Sequence, residues 1–413
     1  MTWTETKACR GCDSADLETV LDLGDLPLVN QYNPIGSSLP TPCFPHQIRF
    51  CQRCGMAQQS GALSREEVFP VGYPYRSSTT RSLRDNFAQL YEETQRVAQL
   101  GPRDLVVDIG GNDGNLLSHF AAHKTLNVTP EDMGQLGVNL GIDHHQAYWS
   151  AATARDVANG HGGARLITAT NVFAHVSDPH DFLDGVDELL APGGMFVSES
   201  HYLPDLLRGV QFEACYLEHD RLLSLQSIRH QLAAHDFTVI GARHIPTHGG
   251  SIRVYATRKG EERDCPLDPA RRIYEDGVTL YDFEEFRGKV VKHRRDLLRL
   301  VGEIRGLGMR IVGIGAPSRA STLVSYCGLN ADDLECVYEV AGSHKLGRWM
   351  PGTRIPIVEE PIHWGDAAWG EPDGQPEFAL LLSHHVGHEM VKAWRAKGFK
   401  GKFIWPLPTV RAE

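Results

Sequence analysis

No stretch of this chain approaches the roughly 20 consecutive apolar residues that a membrane-spanning helix needs. Excess positive charge is missing too: Asp and Glu outnumber Lys and Arg, the net charge is −11, and that balance argues against a general nucleic-acid binder. The sequence has no low-complexity tract and no convincing internal repeat. No signal peptide or apolar h-region precedes Cys9, so a reducing cytoplasm is the expected compartment and a disulfide framework is not expected. What is there is an ordinary globular composition, 41% apolar over 413 residues. At roughly 100 to 200 residues per domain, that length suggests two to four domains.

Four of the nine cysteines stand in two pairs, Cys9-Arg-Gly-Cys12 and Cys51-Gln-Arg-Cys54, with 38 residues between them. Two such knuckles offer four soft sulfur ligands for a tetrahedral Zn²⁺. Four thiolates close the coordination sphere and leave no position for water, so the expected metal is structural. It would fold a short, loop-rich segment whose own core is too small. Redox use of the pairs is the competing reading. Cys43, Cys215, Cys265, Cys327 and Cys336 show no second metal spacing and read as buried thiols.

Three blocks follow one another. Residues 1–65 are rich in Pro, Gly and Cys with little periodicity and form the expected zinc-binding domain. Residues 66–260 begin with a helical stretch, Ser64 to Gln99, in which Leu83, Phe87, Leu90 and Tyr91 recur at helical spacing. Short apolar runs then alternate with helical segments: Leu105 to Ile109, Leu126 to Val128, Leu166 to Val172, Met195 to Val197, Phe237 to Gly241 and Ile252 to Ala256. That alternation predicts an α/β sheet with crossover helices. Residues 261–413 start with amphipathic helices around Tyr281 to Ile304. A second α/β pattern follows, with strands at Ile311 to Ala316, Glu335 to Val340 and Phe378 to Leu382, and a closing strand near Phe403 to Pro408 that tucks under the sheet. Asp220 to Leu225 is read as a helix start.

Val106-Val-Asp-Ile-Gly-Gly-Asn-Asp-Gly-Asn115 is the first segment of catalytic quality. An acid, Asp108, ends a buried strand, and Gly110 and its neighbours then let the backbone turn tightly beside a flat ligand before a helix begins near Leu116. It is not the dinucleotide fingerprint, which would require glycine at Gly110, Asn112 and Asn115. The segment resembles motif I of class I S-adenosylmethionine-dependent methyltransferases. Thr168-Ala-Thr-Asn-Val-Phe-Ala-His-Val-Ser177, Phe182-Leu183 and Leu189-Leu-Ala-Pro-Gly-Gly-Met-Phe-Val197 are similar to the fourth- and fifth-strand motifs of that superfamily. The resemblance implies cofactor contacts from Asp108, Gly110, Asn112, Asp113 and Asn171. Enzymes of this class usually carry an acid at the end of the second strand for the ribose diol; here Thr129 stands at that place, and either Glu131 or Asp132 reaches back or Thr129 and water hold the ribose.

Further segments, Tyr73-Pro-Tyr-Arg-Ser-Ser78, Glu199-Ser-His-Tyr202, Phe212-Glu-Ala-Cys-Tyr-Leu-Glu-His219 and His248-Gly-Gly-Ser-Ile-Arg253, together with the zinc knuckles, resemble the zinc-containing sugar C-methyltransferases that act on nucleotide-linked deoxy-ketosugars. The resemblance spans Cys9 through Pro408. It implies a class I methyltransferase Rossmann-like core, a small zinc-binding N-terminal domain and a C-terminal Rossmann-like domain. It also implies S-adenosylmethionine as methyl donor and antibiotic-type deoxysugar biosynthesis as the setting. By motif position His219 is the general base, with Glu218 and Tyr216 beside it, while His175 and Tyr75 are candidates for binding and enolate stabilisation. A carbon acid next to a ketone must lose a proton before it attacks a methyl group, and an imidazole near neutrality suits that task. With 20 histidines in the chain, structural readings stand alongside. His175 could line the cofactor, Tyr75 could be a packing aromatic, and His248 could belong to an acceptor loop or to a hairpin turn.

Gly315-Ala-Pro-Ser-Arg-Ala-Ser-Thr-Leu-Val324 places Ser318, Arg319 and Thr322 at a turn into a helix, suited to an anionic group. It resembles the family's carboxy-terminal domain, which helps hold the nucleotide. The better-known sugar enzymes tend to have Lys-Gly-Asn where this chain has Arg319-Ala320-Ser321, and a Trp-Asn pair near His384-His385, so the carrier and the acceptor stay open. His384, His385 and His388 lack obvious partners in the sequence and read as solvated or acceptor-facing. The expected activity is C-methylation of a nucleotide-activated, dTDP-linked deoxy-ketosugar next to its ketone. A non-sugar acceptor with C-, O- or N-methylation, and a binding homologue without turnover, are the alternatives. A monomer or a homodimer, with no nucleic-acid or membrane partner, is expected.

Overall fold

The computed structural model describes residues 1–413 apart from 74, 75, 80, 276 and 365–373. The chain forms two compact units. The first gathers Met1–Glu18, Arg49–Asp205 and His219–Thr279; the second gathers Thr19–Ile48, Leu206–Glu218 and Leu280–Glu413. Among the described residues no helix is long and apolar enough to cross a membrane.

The first unit is built on a seven-stranded sheet in the order Phe237–Ile245, Ser251–Arg258, Leu190–His201, Ala164–Thr170, Leu105–Ile109, Lys124–Val128, Asp143–His145. Ser251–Arg258 alone runs opposite to the other six strands. Parallel strands are covered on both faces, which is why Leu105–Ile109 is buried throughout. Side chains alternate across the sheet. Val107 and Ile109 pack with Ala154, Val157, Phe182, Leu183 and Val186, from helices Ala151–His161 and Pro179–Leu189. Val106 packs on the other face with Leu83, Phe87 and Leu90 of helix Arg81–Ala98. Ser150 and Asp178 cap the first two helices by accepting backbone N–H groups, and Pro179 occupies the first turn of the second. Strand order reverses between Leu105–Ile109 and Ala164–Thr170, and a ligand crevice is expected outside the carboxyl ends at such a switch point.

Helix Arg81–Ala98 is also tied down by buried charge. Arg253 donates to Glu199 Oε2 at 2.9 Å, to Glu93 Oε2 at 2.8 Å and to Asn86 Oδ1 at 2.7 Å, while Asn86 Nδ2 donates to Glu199 Oε1 at 2.7 Å. Arg243 and the Tyr255 hydroxyl also engage Glu93. Arg253 and Glu199 are fully buried. Arg253→Met leaves the buried Glu199 carboxylate without its cation, while Glu93 keeps Arg243, and urea unfolding should show a loss of about 3 to 5 kcal/mol. A loss below about 1 kcal/mol would mean that the network contributes little.

Two local expectations are corrected. Asp220 to Leu225 does not start a helix: Arg221–Leu222 is a short strand antiparallel to Ala57 and Gln58, and the helix Leu225–Ala234 begins after the Ser224 cap. Arg221 is fully buried, with its guanidinium 4.4 Å from the Phe173 ring, and that tertiary contact overrides the local pattern. The amino-terminal block is also more regular than its composition suggests, with long strands Leu17–Pro27 and Cys43–Cys51. The second shows an alternation of Phe44, His46, Ile48 and Phe50 that is legible in the sequence once sought.

In the second unit, the amphipathic helices around Tyr281 to Ile304 are one helix, Leu280–Gly306, which buries Phe283, Phe286, Val290, His293, Leu297, Val301 and Ile304 at three-to-four-residue intervals. Its sheet has the order Arg348–Trp349, Pro356–Glu359, Val337–Glu339, Ile311–Ile314, Phe378–Leu381, Lys402–Trp405, Arg411–Ala412. The five central strands are parallel. Lys402–Trp405 is therefore a member of this sheet and does not lie beneath it.

Candidate active site and metal site

The loop after Leu105–Ile109 is shaped by residues that other side chains could not replace. Gly110 has φ +64, and a Cβ on it would lie 2.5 Å from Val172 Cγ2. Its N–H donates to Val128 O at 2.7 Å. Asn112, also at positive φ, is held on three sides. Its Nδ2 donates to Glu131 Oε2 at 2.9 Å, its carbonyl accepts from Asn127 Nδ2 at 2.9 Å, and its Oδ1 accepts from Ser77 N at 3.0 Å. Asp113 accepts from Ser77 Oγ at 2.7 Å and from Ser78 N at 3.2 Å. Asp108 accepts from Thr168 Oγ1 at 2.7 Å, and burial pushes its carboxyl up to about 7. Asn171 follows strand Ala164–Thr170 at positive φ, and its N–H donates to Glu199 O at 2.7 Å.

Thr129 is fully buried and donates to Glu131 Oε2 at 3.2 Å. Glu131, two residues past the usual position, is thus the acid joined to the glycine loop. Burial raises its carboxyl, with the bonds from Asn112 and Thr129 acting the other way. Asp132 instead accepts from Gln146 Nε2 at 3.0 Å.

A cluster of imidazoles forms in the same unit. His175 ends the short turn Phe173–His175, and its ring lies 4.8 Å from that of His219 and 5.2 Å from Phe69. His201, the last residue of strand Leu190–His201, lies 4.6 Å from His219 and 5.6 Å from His248. His219 is 4% exposed. Its chain position is fixed by its neighbour Asp220, which accepts from Ser177 Oγ at 2.6 Å and pairs with Arg10 at 2.7 Å, while Asp220 O accepts from Gln59 N at 2.9 Å.

Arg10 belongs to the first zinc knuckle. The ligand atoms of Cys9, Cys12, Cys51 and Cys54 all lie within 4.8 Å of one another, with Sγ atoms 3.5 Å apart for Cys9 and Cys54 and 3.6 Å for Cys12 and Cys51. Four sulfurs about 2.3 Å from a tetrahedral zinc stand about 3.8 Å apart, so the four thiols fit that ion. Among the described residues this is the one group arranged to hold a metal.

The remaining sequence candidates lie in the second unit or outside the described residues. Tyr75 is in the latter group. Tyr216, half-buried, and Glu218, buried, precede His219 in the chain. Ser318 opens helix Ser318–Cys327 and donates to Asn30 Oδ1 at 3.2 Å, and Thr322 is buried in that helix. Arg319 is buried and engaged: it donates to Glu213 Oε1 at 3.2 Å and Gln211 Oε1 at 3.4 Å. His384 Nε2 meets the same Glu213 oxygen at 3.0 Å, so it has a partner that sequence spacing does not reveal. Burial opposes charge on Glu213, but His384 and Arg319 hold it below the usual carboxylate range.

An open α/β sheet in this strand order, with a glycine loop at its switch point and a buried acid joined to that loop, defines a class I S-adenosylmethionine-dependent methyltransferase. Protein-family comparison agrees and narrows the class. Residues 9–69 match a zinc binding domain, residues 79–242 a methyltransferase domain, and residues 246–408 the C-methyltransferase C-terminal domain. These matches make the chain similar to zinc-binding, S-adenosylmethionine-dependent C-methyltransferases. It is 29% identical over 415 residues to the C-methyltransferase NovU of Streptomyces niveus, covering 98% of this chain and 96% of that one. Among solved structures, an S-adenosylmethionine-dependent methyltransferase from Clostridium acetobutylicum matches 43% of this chain and 92% of its own, at 12% identity and a TM-score of 0.34. Magnesium protoporphyrin IX methyltransferase from Synechocystis, solved with S-adenosylhomocysteine, matches 43% and 84%, at 13% identity and a TM-score of 0.33.

Proposed function

We propose that this C-methyltransferase acts on a nucleotide-linked deoxy-ketosugar, with a dTDP carrier, at the carbon beside the ketone. The observation that carries the reading is the buried imidazole of His219, flanked by His175 and His201 in the unit that carries the donor loop. Oxygen and nitrogen acceptors bring lone pairs, whereas a carbon acceptor needs a base first. The near-full-length resemblance to the ketosugar enzymes supplies the acceptor class.

S-adenosylmethionine supplies an electrophilic methyl on a sulfonium. In this reading Asp108, Gly110, Asn112, Asp113, Glu131 and Asn171 hold that donor, and Glu131 accepts from the ribose diol in place of the acid that Thr129 displaces. His219 takes the proton from the acceptor carbon. Tyr216, Glu218, His175 and Tyr75 bind the acceptor or stabilise negative charge on its oxygen. His248, Ser318, Arg319 and Thr322 serve substrate binding, with Ser318 at a helix start facing the anionic carrier and Arg319 acting through its pair with Glu213. Residues 1–65, 66–260 and 261–413 divide the work as metal-folded segment, methyltransferase core and nucleotide-holding domain. The zinc, held by Cys9, Cys12, Cys51 and Cys54, is structural.

The test is a panel of nucleotide-linked ketosugars incubated with methyl-labelled donor, with the new methyl located by NMR. A new carbon–carbon bond next to the ketone is expected. A methyl found on oxygen or nitrogen, or no transfer to any sugar while the donor binds, would remove the ketosugar assignment.

A further inference from the structure

His201 was not singled out by its sequence context, yet its ring touches both His219 and His248. It lies 4.6 Å from His219 at an interplanar angle of 75°, and 5.6 Å from His248 at 79°. Both contacts are edge-on, and they place the three rings in one continuous row. Exposure rises along the series: His219 is buried, while His201 and His248 are half-exposed.

The turn carrying His248 is built to hold it there. His248 sits at φ 55 and ψ 21, a left-handed conformation that costs a non-glycine residue of order 1 kcal/mol and persists only where its surroundings impose it. Gly249 and Gly250 follow at φ +87 and +123, and a Cβ on Gly250 would lie 2.3 Å from Asp205 Oδ2. Gly250 O accepts from Tyr202 N at 3.2 Å, and the strand register sets His201 opposite Ser251. The turn is thereby pinned to the residue that follows His201.

We propose that His201 and His248 form a proton relay that carries the proton taken up by His219 out to solvent. The inference rests on the reading of His219 as the base. The acceptor C–H bond breaks and its proton passes to a ring nitrogen of His219; the electron pair forms the new bond to the methyl carbon as the methyl–sulfur bond breaks, its pair goes to sulfur, and the neutral thioether S-adenosylhomocysteine leaves. That imidazolium gives a proton to the bare nitrogen of His201, which releases one from its other nitrogen to His248, and His248 releases one to water. No oxidant or further co-reactant is needed. Titratable groups near His201 include His219 and His248 by ring contact, His175 beyond His219, and the Asp205–His244 pair beside Gly250. His201 acts through His219 and is a positioning and relay residue.

Two measurements test it on the full chain. First, histidine NMR titration without acceptor compares wild type with His201→Gln. The imidazoles should titrate as a coupled set, with the His219 midpoint moving by about half a unit or more in the variant. An unmoved midpoint would overturn the relay, and this arm does not depend on which acceptor is used. Second, with the ketosugar that the panel identifies, His201→Ala should lower kcat about tenfold and change KM less than about threefold, and added imidazole should restore part of the rate. Donor binding by calorimetry should stay within about twofold, which shows that the variant is folded. Unchanged kcat, a loss that added imidazole does not relieve, or full activity in His201→Gln, whose amide relays no proton, would overturn it. If the panel accepts no sugar but His219 and His201 titrate as a pair, the acceptor reading fails and the coupling stands.

Discussion

His219→Ala is expected to lower methyl transfer by roughly a hundredfold or more while S-adenosylmethionine still binds. The separation follows from where the side chains stand. The donor loop is held by its own bonds, from Asn112 to Glu131 and Asn127 and from Asp113 to Ser77, and none of these uses His219. The backbone at 219 is fixed through Asp220, which Ser177 and Arg10 hold whatever ring precedes it. Truncation therefore removes a proton acceptor and leaves the scaffold in place. His219→Asn, closer in volume and polarity, should be as inactive, because an amide is no general base. Turnover and calorimetric donor affinity, measured side by side, decide the matter. Near-normal turnover in either variant would remove His219 as the base.

Cys51→Ser should strike stability first. All four thiols converge, and Cys9, Cys51 and Cys54 are almost wholly buried, so the loss of one ligand leaves a buried cluster with no ion to satisfy it. Structural zinc contributes roughly 10 to 16 kcal/mol in small peptides. Whole domains are stable by only about 5 to 15 kcal/mol. We expect less than stoichiometric zinc by elemental analysis, a lower melting temperature and a reduced soluble yield. The surviving folded fraction should also turn over more slowly, because Arg10, between Cys9 and Cys12, pairs with Asp220 beside His219. A zinc-free variant that melts like the wild type would show that the metal is not structural.

The core of the fold was legible because its signals are local. Leu105–Ile109 is an apolar run because it is covered on both faces, and the glycine loop is written in residues whose side chains would collide with Val172 or Asp108. The zinc site was legible for the same reason, since two residues between cysteines set the ligand bite. Family, fold, enzyme class, methyl donor and zinc agree with what the comparisons and the geometry show. The strand at Arg221–Leu222 was not legible, because its cause is a pairing with Ala57 and Gln58 more than 160 residues away. Nor was the partner of His384, which is Glu213.

The sequence by itself determined the α/β core, the four-thiol site and the glycine loop, because each follows from residue types at short spacing; the imidazole at 219 came from the family resemblance and stays a proposal. Only the tertiary structure decided which acid joins the loop, that Arg319 and His384 share Glu213, and that His201 stands between His219 and His248. Those are pairings between residues far apart in the chain, and the packing that brings them together leaves no periodic trace in the sequence.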